Sequence, residues 1–161
     1  MYIIRMHVGV GEFYASHYGI TITLGGLMGT IMFLNVWLVI WPNQKIVIAS
    51  TQQVAGGGQA LPTAAAAGRR GALASRTNVV FSIPMLFFMG APLHHPALVQ
   101  PDANRSVFWI LCLIIIAAVE ANALTGTQGS TKKPLDSVSG ALWFGFILTA
   151  VFYVLYWALL T

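Results

Sequence analysis

The chain has 161 residues, 57% of them hydrophobic and 7% charged, with a mean hydropathy of +0.76 and a net charge of +4. Soluble domains carry about 25% charged residues, so a chain this poor in charge cannot cover a globular surface, and lipid is expected to be part of its solvent. The few basic residues sit beside apolar runs, where they set membrane orientation rather than a nucleic-acid footprint, and the single cysteine, Cys112, excludes a disulfide framework or a zinc motif.

The first residues, Met1 to Gly11, carry Arg5 but no long apolar stretch before Glu12, so they do not read as a cleavable signal, and the first membrane helix is expected to insert as its own signal. No charged residue then occurs before Lys45. Tyr18 to Trp41 is long enough to cross a hydrocarbon core, for which roughly 20 residues suffice. Trp37 and Trp41 suit an interfacial belt, and Pro42-Asn43 is expected to break or kink the helix.

Residues 43–77 form the longest connection, with Gly56-Gly57-Gly58, the alanine-rich piece Thr63 to Ala67, and Arg69, Arg70 and Arg76. Pro62 fits the first turn of a short interfacial helix in this first cytoplasmic loop. The second apolar run, Asn78 to about Leu93, holds Pro84, Gly90 and Pro92 and reads as a kinked span, with a re-entrant segment as the alternative. The third run, Val107 to Leu124, is interrupted only by Glu120 and Asn122; the fourth, Val138 to Leu160, has no charge and many aromatics.

The expected fold is therefore an all-α integral membrane protein: one transmembrane helical domain over residues 1–161, with about four transmembrane helices at 18–41, 78–93, 107–124 and 138–160. The 43–77 loop holds four basic residues and no acid, and the loop after the third span holds Lys132 and Lys133 with Asp136. The positive-inside rule puts both loops in the cytoplasm and both termini on the outer side of the membrane.

All four histidines then fall on the outer side. His17 before the first span, with His94 or His95 after the second, are candidate axial ligands of a haem b. On the first helix His17, Thr21, Met28 and Asn35 lie within roughly 40° of one another, with Gly25 nearby. The competing and stronger reading is that the histidines are hydrated at the membrane edge and that Thr21, Gly25 and Gly29 serve helix packing. Glu120 is an acid inside a span, a costly placement that calls for a partner. Arg76 is the expected partner in a structural ion pair, with Asn35, Asn78 and Asn122 at similar depth as hydrogen-bonding neighbours; proton or ion transfer is the alternative role. No phosphate-binding loop, haem-attachment motif, metal cluster or nucleophile motif is present.

Three strings add a family resemblance: Asn35-Val36-Trp37-Leu38-Val39-Ile40-Trp41-Pro42-Asn43-Gln44-Lys45; Ala74-Ser75-Arg76-Thr77-Asn78 followed by Ser82-Ile83-Pro84-Met85-Leu86-Phe87-Phe88-Met89-Gly90; and Glu120-Ala121-Asn122-Ala123-Leu124. Together they resemble the bacterial membrane-bound, cytochrome-c-linked urate oxidases. The resemblance runs from about residue 16 to the end and corresponds to the later, C-terminal half of that family's membrane domain, whose members carry further helices upstream and a cytochrome c domain downstream. It implies a tie to membrane electron transfer and carries over no catalytic residue. The expected function is a non-catalytic accessory subunit of a larger respiratory or photosynthetic membrane complex, with other membrane subunits, lipid and a periplasmic cytochrome c as partners. A haem-b module or a truncated membrane urate oxidase component is the alternative, and a complete oxidase working with a separate cytochrome c ranks last.

Overall fold

The computed structural model describes residues 9–94 and 99–161, with side chains described throughout them except at Val10 and 91–94. A short helix α1 (Val10–Ala15) precedes α2 (His17–Leu34), which Ser16 caps by accepting a hydrogen bond from the Gly19 N–H. α2 passes through a π-helical turn (Asn35–Ile40) straight into α3 (Trp41–Ala55). Then come α4 (Ala64–His94), α5 (Arg105–Leu124), a 3₁₀ segment (Ser130–Asp136) and α6 (Val138–Leu160). Among the described residues there is no strand, and four helices are long and apolar enough to cross a membrane: His17–Ala55, Ala64–Gly90, Arg105–Leu124 and Val138–Leu160.

Two boundaries differ from the sequence expectation. Pro42 does not end the first helix. A proline ring meets the carbonyl four residues back in a straight α-helix, but here the turn just before it is widened, with the Trp41 N–H reaching the Val36 carbonyl five residues back. The helix therefore runs on for 39 residues, about 58 Å. The short interfacial helix and the second span are likewise one continuous 31-residue helix, neither broken nor re-entrant. The basic residues at 69–76 interrupt hydropathy but not helix propensity, since alanine, arginine and leucine are all strong helix formers. The third and fourth spans fall where expected, within two residues at the start of α5.

α4 is the centre of the bundle. It runs antiparallel to α2 and α3, with Gly25 against Met85 and Met89, Gly71 against Asn43 and Gly68 against Val47. It runs parallel to α6, with Gly145 against Val80 and Ile83, Phe88 against Phe152 and Phe87 against Tyr153. Leu73, Val80, Phe81 and Phe88 of α4 are fully buried with Leu24 and Met28 of α2, Phe108 and Cys112 of α5, and Leu148 and Phe152 of α6. The outward faces are the reverse of a soluble protein's: Phe33, Trp37, Leu38, Leu86, Ile114, Trp143 and Val154 all lie exposed, Leu38 by 69% and Trp143 by 67%.

The helices are unequal. A hydrocarbon core about 30 Å thick matches the 20 residues of α5. Because His17 lies beside Tyr156 near the end of α6, α3 and the first turns of α4 extend past the opposite end of the bundle as a helical hairpin. Its tip turns on Gly57 at φ +85°, a conformation open to glycine, and the Leu61 N–H is taken by the Ser50 hydroxyl.

At Gly145 a Cβ would stand 2.9 Å from the Val80 carbonyl oxygen and 2.6 Å from Ile83 Cδ1, so the α4–α6 approach depends on the missing side chain. Gly145→Val is expected to cost about 1–3 kcal/mol, read as a lower melting temperature in detergent. Gly26→Ala, where nothing lies within 4 Å, should change it little.

Candidate functional site

Polar side chains gather at the two ends of the bundle. At one end His17, the first residue of α2, joins its Nδ1 to the hydroxyl of buried Tyr156 at 2.5 Å, the rings edge-on at 5.4 Å. Phe108 of α5 also stacks edge-on against Tyr156. This contact ties the start of the first helix to the last turns of α6. Beside it, the chain entering α5 caps the end of α6, with Gln100 and Asn104 N–H groups on the Leu160 and Leu159 carbonyls. A shallow cavity of about 260 Å³ lies there, lined by Gln100, Asp102, Asn104 and Thr161 among others.

The stripe that the sequence offered as a haem-facing surface is a packing surface. Thr21, Met28 and Asn35 are buried, and α4 covers the stripe so closely that a Cβ at Gly25 would lie 3.1 Å from the Met85 carbonyl oxygen and 2.5 Å from Met89 Cγ. His95 lies outside the described residues and the His94 side chain outside the described side chains.

At the other end the α–π junction carries a buried polar network. Asn35, 4% exposed, uses both hydrogens of its amide: Nδ2 donates to Glu120 Oε2 at 3.1 Å and to Asn78 Oδ1 at 3.0 Å. Asn78 in turn donates from Nδ2 to the Met32 carbonyl at 3.1 Å, beside the π turn. Three separate helices thus meet through one asparagine. The network shields Glu120 by hydrogen bonding rather than by charge.

Arg76 does not pair with Glu120. Arg76 and Asn78 are two positions apart, hence roughly 200° apart around α4. Asn78 faces α2, where Glu120 reaches Asn35, so Arg76 faces the other way. It shares a face with Arg69, seven residues earlier. Among the described residues the ion pair within bonding distance is Arg69–Asp136 at 2.7 Å, and Arg69 Nε also donates to the Thr127 carbonyl. The expected neighbours Asn35 and Asn78 do serve Glu120 or its partner, whereas Asn122 turns to the Thr131 carbonyl.

The loop between α5 and α6 is closed onto this end. Lys132, buried to 3% exposure, donates from Nζ to the Thr125 carbonyl at 2.8 Å. Burial first, and then the charge of Arg69, hold its ammonium below the ordinary lysine range. Sequence reasoning missed this anchor and the Arg69–Asp136 pair, because both depend on how an irregular loop folds back. Among the described residues no cluster of three or more metal-ligating side chains occurs.

The chain is thus a helical bundle of membrane-spanning dimensions, with polar fastenings at its ends. It belongs to the family described as urate oxidase N-terminal, which matches residues 1–156 and so includes residues upstream of position 16. No curated protein and no solved structure matches it.

Asn35→Leu would leave Glu120 Oε2 and Asn78 Oδ1 without their shared donor and is expected to cost about 1–3 kcal/mol. Glu120→Gln keeps an acceptor oxygen and should cost less. Thermal unfolding of both variants in detergent checks the order; an Asn35→Leu protein as stable as the parent would mean that the network does not hold the helices.

Proposed function

We propose that this chain is the membrane-embedded helical module of a urate-oxidase-type electron-transfer system, acting as an accessory subunit rather than as a self-sufficient enzyme. The family match over residues 1–156 carries this reading. The bundle's form supports it: four long apolar helices whose outward faces are themselves apolar suit a multi-pass protein solvated by lipid. Its place would be the bacterial inner membrane, with the Arg69 and Lys132 loops in the cytoplasm and both termini in the periplasm, in line with the positive-inside rule.

The chemistry of urate oxidation would then fall to partners. Asn35, Asn78, Arg69, Asp136 and Lys132 are spent on joining helices and loops, and a substrate site needs several polar groups that converge on a cavity. Other membrane subunits and a periplasmic cytochrome c are the partners in this reading. A haem-b module is the alternative; α4 packs closely beside the stripe below His17 at Gly25.

Purification from native membranes in mild detergent, with the co-purifying subunits identified and an absorption spectrum recorded, tests both readings. The accessory role predicts recovery in a larger assembly that contains a redox subunit, and no Soret band from this chain once separated. A pure, lone chain that oxidises urate with added cytochrome c would contradict it, and a Soret band lost in His17→Ala would establish the haem reading instead.

A further inference from the structure

We propose that Arg76 binds a phosphate group, and that its source is the headgroup of an anionic lipid in the leaflet at the Arg69–Lys132 end of the bundle. The proposal rests on the membrane reading above. Three observations lead to it.

The first is an uncompensated cation. Arg76 is half-buried, and among the described residues no carboxylate pairs with its guanidinium; its Nη1 is enclosed by protein without an acceptor, so an anion would meet the guanidinium at its other nitrogens. A guanidinium in this condition calls for an anion, and its planar fork matches phosphate.

The second is position. α4 and α6 run parallel with Val80 against Gly145. Four residues back along both, Arg76 stands level with Ala141, in the first turn of α6, and also near the level of Asn78 and so of the Glu120 end of α5. In the membrane reading this is the depth at which hydrocarbon gives way to headgroups. The N-terminal turn of α6 adds its own positive end there.

The third is the local balance of charge. The two acids at this end are engaged, Asp136 by Arg69 and Glu120 by Asn35. Arg69, Arg70, Lys132 and Lys133 all lie at the same end. No protein anion remains to compensate Arg76, whereas an anionic leaflet attracts such basic groups.

The test uses the purified, delipidated full chain in detergent, with melting followed by tryptophan fluorescence while dioleoylphosphatidylglycerol, dioleoylphosphatidylcholine or inorganic phosphate is added. Phosphatidylglycerol should raise the melting temperature by about 5 °C, and phosphatidylcholine by less, because its ammonium would sit among cations. Arg76→Gln should lose most of that rise, and Arg70→Gln, at an exposed position on another face, should keep it. Should Arg76→Gln fail to fold, Arg76→Lys retains the charge without the fork and is expected to give a smaller rise, with fewer bound lipids by native mass spectrometry. A rise of equal size in the Arg76 variants, or none in the parent chain, overturns the proposal. A full rise from inorganic phosphate alone, lost in Arg76→Gln, would keep the phosphate site and overturn its lipid source. The membrane reading fails separately, if the folded chain is recovered without detergent.

Discussion

Close packing on both flanks of α4 is the constraint from which the rest of the arrangement follows. Gly25 on one side and Gly145 on the other let the backbones of α2 and α6 approach the Met85 and Val80 carbonyls of α4 so closely that a Cβ would stand 3.1 Å and 2.9 Å from them. Where helices lie in hydrocarbon, apolar surface gains nothing by turning inward, and small residues that permit dense contact are what hold a bundle together. Once α4 is fixed between these neighbours, the rotation of every residue on it is fixed as well. Asn78 must face Asn35, and Arg69 must face the loop before α6.

That rotation also decides the polar chemistry. Glu120 meets an asparagine instead of an arginine because the helix that carries Arg76 turns it to the opposite side. A carboxylate held by neutral donors and a guanidinium left without a partner are two consequences of one packing arrangement. They place polar groups of different character on two sides of α4 at the same end of the bundle. The far end is simpler, with His17 and Tyr156 pinning the first helix to the last.

Most of the fold was legible in the sequence because hydropathy is the dominant signal in such a chain. The spans at 107–124 and 138–160 needed nothing more. The failures occurred where a local rule was overridden by its surroundings. Pro42 reads as a stop, yet a π turn one step earlier makes room for its ring. Arg69, Arg70 and Arg76 read as a loop, yet they lie on α4. For the polar groups, depth can be counted along each run, which brings Asn35, Asn78 and Asn122 to the level of Glu120, although Asn122 turns to the Thr131 carbonyl instead. Azimuth cannot, because it depends on which helix faces which, so the sequence brings Arg76 to the height of Glu120 without showing that it points to another side of α4. The 3₁₀ segment and buried Lys132 left no periodic trace at all.

The central claim is that hydrocarbon surrounds this bundle and that the α3–α4 tip and the α5–α6 loop emerge together on one side of it. Labelling intact cells with a membrane-impermeant maleimide, in a Cys112→Ala background, measures this directly through the exposed positions Gln59→Cys, Gln128→Cys and Asp102→Cys. Asp102→Cys should react from outside, while the other two should react only after the cells are opened. Labelling of all three from outside, or of Gln59→Cys and Gln128→Cys from different sides, would contradict the account.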